Sequence, residues 1–191
     1  MTLADRMTIL NAGRIEQIGP PVEVYRHPKN LFVAGFLGAP PMNLLPGVLQ
    51  AARGQEAHVH LDIGSILRVH VDANGLSAGA CVTVGIRPEH LEVTAPPGDM
   101  VGLVNVVEHL RNRSLLYVTL HPSGENTHGV LSDVIVEAAE QGPDAPLDRG
   151  VMPKPGDIVC LAAPPQLLHL FDSTGEAIGT LKVPIRQAAA R

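Results

Sequence analysis

Met42-Asn43-Leu44-Leu45-Pro46-Gly47-Val48-Leu49 opens a series of short apolar runs that decides the fold class. Leu44–Leu49 is followed by Ala57–Asp62, Ile66–Val71 and Cys81–Ile86, then by His90–Thr94, Val101–Leu110, Leu115–His121, Val130–Glu137 and Asp157–Ala162. The runs recur at intervals of about 8–15 residues, with Gly, Pro, Asn or Asp between them. That rhythm predicts an all-β barrel or sandwich rather than βαβ units, with two groups of strands able to form two small barrels. The 19 Gly and 17 Pro suit a turn-rich β fold. Residues 139–155, dense in Gly, Pro and Asp, read as the clearest loop, and 186–191 as a tail.

The chain changes character before Met42. Met7-Thr8-Ile9-Leu10 and Arg14-Ile15-Glu16-Gln17-Ile18 flank Asn11-Ala12-Gly13, which predicts a hairpin. Pro21 suits a first helical turn, and Val22–Tyr25 continue that helix until Pro28. Leu31–Phe36 predict a second short helix that Gly38 and Pro40 terminate. The boundaries read as 1–40 for the hairpin and helices, 41–185 for the β region and 186–191 for the tail.

Composition excludes several classes. Of 191 residues, 14 are Lys or Arg and 19 Asp or Glu, so the net charge is −5, and a nucleic-acid partner is not expected. Three Phe, two Tyr and no Trp leave few stacking platforms for single strands. Apolar stretches are shorter than the roughly 20 residues of a membrane helix. Cys81 and Cys160, far apart, read as buried free thiols of a cytosolic chain.

The motifs point away from catalysis. No Gly-Lys pair and no Gly-x-Gly-x-x-Gly occurs, so the chain alone offers no phosphate cradle and binds no cofactor of its own. No nucleophile elbow is assigned, and Ser114 and Ser132 give no hydrolase. His58 and His60 share a strand face, with His70, Asp62 or Asp72 nearby, yet no second cluster supports a metal, and the reading is a solvated face. Gly85-Ile86-Arg87-Pro88-Glu89-His90 is the sharpest local feature: an Arg and a Glu either side of a Pro corner orient one another or meet a partner. Arg111-Asn112-Arg113-Ser114 is a polar turn whose Arg111, Arg113 and Ser114 offer donors to an oxyanion, against the simpler reading of a solvated hairpin tip.

Taken in order, Met1–Arg6, Asn11–Gly19, Tyr25–Pro28, Phe32–Gly38, Met42-Asn43, Gly85–His90, Val106-Val107-Glu108, and Leu168–Asp172 with Gly175 resemble the ATP-binding subunits of carbohydrate-type ABC importers, the maltose/glycerol-3-phosphate group. The resemblance covers nearly the whole chain. It implies that 1–40 is the end of the nucleotide-binding domain, a short α/β remnant, and that the rest is a mainly β regulatory domain of TOBE type, an OB-like barrel. The P-loop, signature motif, catalytic carboxylate and switch histidine would lie upstream of Met1, so the chain looks like a truncated C-terminal portion, not an enzyme on its own. ATP and Mg belong to the full-length family. The implied partners are a second copy of the subunit, membrane permeases indirectly, and a regulatory protein, at the cytoplasmic face of the membrane. Arg87, Glu89 and His90 are then the candidates for shaping a partner surface. A stand-alone oxyanion-binding module is the alternative. The hairpin, cut from its parent sheet, is expected to expose an apolar face.

Overall fold

A computed structural model describes residues 4–111, 113–122, 131–139 and 152–179. Strands β1 (Met7–Asn11) and β2 (Arg14–Gly19) form the expected hairpin, turned by Ala12 and Gly13 in the left-handed region. Helices α1 (Pro21–Arg26) and α2 (Leu31–Phe36) follow. Pro21 starts the first, and the Asn30 carboxamide caps the second by accepting the Val33 amide at 3.0 Å.

Two antiparallel sheets make up the rest. Six strands, β3 (Asn43–Arg53), β4 (Glu56–Leu61), β5 (Ile66–Val69), β6 (Cys81–Ile86), β12 (His169–Phe171) and β13 (Ala177–Ile178), pair in the order β13-β12-β6-β3-β4-β5. The Asp72 amide donates to the Gly179 carbonyl at 3.1 Å, which draws the two ends of this sheet together. Five strands, β7 (Glu92–Thr94), β8 (Met100–His109), β9 (Arg113–Leu120), β10 (Ser132–Ala139) and β11 (Ile158–Ala162), pair as β10-β9-β8-β11-β7. Its outer strands β10 and β7 also lie against each other.

Alternation builds the core. Leu45 and Leu49 on β3, Ala57, Val59 and Leu61 on β4, and Leu67 and Val69 on β5 point inward at period two. They join Val104, Leu116, Val118, Leu120, Val134, Val136 and Leu161 of the second sheet in one continuous cluster. Gly47, on strand β3, permits a close approach of two backbones: a Cβ there would stand 2.5 Å from the backbone oxygen of His60.

The mainly β reading holds, with local corrections. Pro88–His90 form a 3₁₀ turn, so β7 begins at Glu92 rather than His90; Pro88 takes the first position and the Leu91 amide bonds back to its carbonyl. Arg113 and Ser114 belong to β9, not to a turn. β12 and β13, of three and two residues, are too short to show a period. Cys81 is exposed and Cys160 half-buried, because neither belongs to the inward set of its strand, so the expectation of buried thiols fails. Most of the expected loop at 139–155, and the tail, lie outside the described residues.

Gly47→Ala tests this packing. The atom in the way is backbone, which cannot rotate aside, so the substitution lowers unfolding free energy by about 1–3 kcal/mol in urea melts.

Candidate functional site at the joint

Arg87 directly follows β6 and precedes Pro88, the first residue of the 3₁₀ turn. Its side chain is 1% exposed and runs away from the barrel into the hairpin–helix segment. One terminal nitrogen, Nη1, donates to the carbonyls of Ala34 (3.1 Å) and Leu37; the other, Nη2, donates to Tyr25 O at 2.9 Å. These acceptors lie in or just beyond the last turns of α1 and α2, where helix carbonyls lack partners and carry partial negative charge. The guanidinium also lies 3.9 Å from the centre of the Tyr25 ring. Only arginine offers a rigid fork of donors that stays charged when buried. Burial does pull its proton affinity down, with Tyr25 and Glu89 acting the other way. Gly38, at φ +116°, leaves the fork its room: a Cβ there would stand 2.8 Å from Pro40 O and 3.1 Å from Arg87 Nη1.

The two neighbours of the corner complete the contact. The exposed Glu89 carboxylate accepts the Tyr25 hydroxyl at 2.5 Å. Burial, aided by this bond, pushes the Tyr25 hydroxyl up to about 12. His90 is half-buried, its Nδ1 enclosed and without a hydrogen-bond partner. Arg87, expected on a partner surface, is therefore an internal fastener, because the unpaired carbonyls that its donors satisfy lie inside.

A second fastening lies beside the first. Leu31 N donates to Gly175 O and Ala177 N to Lys29 O, both at 2.8 Å, so residues 29–31 run as a backbone bridge along the turn after β12. Asp172 shapes that turn by accepting the Thr174 amide and hydroxyl and the Glu176 amide, which hold its carboxyl below the usual range. Ala34, Met42 and Phe171 pack as a buried cluster across the same boundary. One residue on, the Asn43 side chain donates to Ile135 O and accepts Ile135 N, both at 2.8 Å, tying β3 to β10 of the other sheet. Beside it a cavity of about 380 Å³ is lined by Met42, Leu44, Asn105, Tyr117 and Asp133 among others.

The other candidates are dispersed. Arg113 forms an ion pair with Glu137 at 2.8 Å and donates to Ala39 O at 3.3 Å. Ser114 is buried against His109 at 2.9 Å, and Arg111 is exposed. Successive strand residues face opposite ways, so Arg113 and Ser114 do not converge on one oxyanion. Glu56 stands 2.6 Å from His58 and 3.8 Å from His70, on an exposed face where such pairs contribute little. Among the described residues no group of three His, Cys, Asp or Glu is placed to hold an ion, and no helix is long and apolar enough to cross a membrane. A Gly-x-Ser-x-Gly string does occur at Gly75-Leu76-Ser77-Ala78-Gly79, but it forms exposed turns leading into β6, without the strand-to-helix bend of a nucleophile elbow. Tyr25, Asn43 and His169 contribute to the joint, although the sequence offered them only inside quoted motifs and gave them no site role. Their signal was a polar residue at the start of, or within, an apolar run.

Comparison with known proteins fixes the relationship. Residues 38–91 match the family described as the MalK OB fold domain. The chain is 37% identical over 179 residues to the maltose/maltodextrin import ATP-binding protein MalK of Vibrio cholerae, covering 93% of this chain and 43% of that protein. It is 38% identical over 178 residues to the alpha-glucoside transport ATP-binding protein AglK of Rhizobium meliloti, covering 93% and 44%. The chain is a relative of these importer subunits, and residues 38–91 carry a MalK-type OB fold domain. It spans less than half the length of these relatives. Among solved structures, the cytoplasmic molybdate-binding protein ModG matches with a TM-score of 0.52 at 16% identity, covering 67% of this chain and 94% of that one; this is a likeness of fold alone. The OB-like reading of the barrel therefore holds for this MalK-like chain.

Replacing Arg87 by Lys removes the fork and strands buried carbonyls. The expected loss is about 2–4 kcal/mol in urea unfolding, against less than about 0.5 kcal/mol for Lys at the exposed Arg111.

Proposed function

We propose that this MalK-like chain is the regulatory and dimerisation part of the ATP-binding subunit of an importer for sugars, polyols or glycerol phosphate. One observation carries the reading: identity to importer subunits runs through hairpin, helices and barrel alike, and Arg87 fastens these parts together. Residues 1–40 form the end of the ATPase domain and 41–185 the regulatory barrel. The ATPase chemistry, with its ATP and Mg, resides in a stretch of the subunit outside these residues, so the chain hydrolyses no ATP by itself. A second copy of the subunit, the membrane permeases reached through the ATPase domain, and a regulatory protein are its partners, at the cytoplasmic face of the membrane.

The joint gives this role a physical means. A regulator that grips the barrel moves a body to which the end of the ATPase domain is fixed by a buried cation and a backbone bridge. Leu10, Ile15, Ile18, Val22 and Phe36 are each 46–62% exposed on the hairpin and helices. They are the face by which this segment packs on the remainder of the ATPase domain.

The alternative, an oxyanion module, draws on the ModG fold likeness. The engagement of Arg113 by Glu137 weighs against it.

Light scattering of the purified chain, with and without ATP–Mg, separates these readings. The expected result is a dimer whose mass and melting temperature ignore nucleotide, with no thermal shift in millimolar molybdate. A nucleotide-dependent mass would overturn the non-catalytic reading, and a molybdate shift would favour the alternative.

A further inference from the structure

The joint holds imidazoles that its hydrogen bonds leave unused. His169 sits on β12, opposite Gly85 of β6, and is 8% exposed. Its ring stacks on Phe171 with centroids 6.4 Å apart. The charged and titratable groups that bear on it are Arg87 from the end of β6, His90 from the 3₁₀ turn and His27 from the link between α1 and α2. His90 in turn faces Arg87, Arg26 of α1 and Glu89. Among the described residues Glu89 is the one carboxylate acting on it, and that group already accepts the Tyr25 hydroxyl. In the adjoining turn Asp172 is occupied by its own loop, and Glu176 is exposed.

A proton added here meets a fixed buried cation and, among the described residues, no free counter-charge. Arg87 cannot yield, because its donors hold the carbonyls of Tyr25, Ala34 and Leu37. Lifting the segment away from the barrel solvates both imidazoles, and the added charge is then tolerated.

We propose that the joint is a proton-responsive clasp: acidification from neutral pH towards 6 loosens the segment Tyr25–Leu37 from the barrel, with His169 as the main titrating group and His90 as the second. Burial, then Arg87, His27 and His90, hold His169 down to about 4 in the closed joint. Burial lowers His90 as well. A solvated histidine has its ordinary value of about 6.5. The closed joint therefore binds fewer protons than the open one. Its stability is complete above about pH 6.5 and falls as the pH drops towards 4. Between pH 7.5 and 6.0, His169 alone raises the open population about fourfold. This property belongs to the joint and stands whether or not the chain is regulatory.

Hydrogen exchange read by mass spectrometry on the full chain tests it, with each rate divided by the intrinsic rate at the same pH. Protection of amides in 25–37 is expected to fall about fourfold from pH 7.5 to 6.0 while β8 and β9 hold theirs. In H169F, which keeps an aromatic ring, most of that fall disappears, and in H90Q it shrinks. If H169F does not fold, H90Q and an NMR titration of the His169 ring decide. Constant protection in the wild type, an identical fall in the variants, or a His169 ring titrating near 6.5 in the closed protein overturns the proposal.

Discussion

The guanidinium of Arg87 is the constraint on which the arrangement of this chain depends. Two helices of six residues each leave their final carbonyls unpaired, and isolated helices so short are unstable in water. A single buried cation answers both problems by donating to those carbonyls, which form its shell. In doing so it fixes α1 and α2 against the end of β6, and through them the hairpin. The cost is burial of a charge, which the carbonyls and the Tyr25 ring offset. Gly38 follows from the same requirement, since any side chain there would fill the space the fork occupies.

Asn43 performs the corresponding task one layer further in. A side-chain amide can imitate a strand neighbour, giving one donor and one acceptor to the same residue, and Asn43 does this to Ile135. The first strand of one sheet is thereby tied to the edge strand of the other. Met42, the neighbour of Asn43 in sequence, and Phe171 are buried with Ala34. Hairpin, helices and both sheets thus meet within a short span of chain, which suits a part whose proposed work is to transmit position.

Much of this was legible in the sequence. The spacing of the short apolar runs and the punctuation by Gly and Pro identified most of the barrel strands, and Pro21 and Gly38 bounded the helices. The ordered motifs pointed to the importer subunits that the comparisons then matched. What stayed hidden depends on distance along the chain. Arg87 looked like a surface corner because its acceptors lie 50 to 62 residues away. Nothing local reveals that Asn43 reaches Ile135, 92 residues on. His169 was quoted as part of a motif, but its burial follows only from the pairing of β12 with β6. Arg111, Arg113 and Ser114 misled in the opposite way: adjacency suggested a common site, and the strand pleat separates Arg113 from Ser114.

The central claim is that the hairpin–helix segment and the barrel move as one body. Residual dipolar couplings of backbone amides in the full chain at neutral pH test it most directly. A single alignment tensor should fit residues 7–37 together with both sheets. Two tensors of different magnitude or orientation, one for the segment and one for the barrel, would contradict the account.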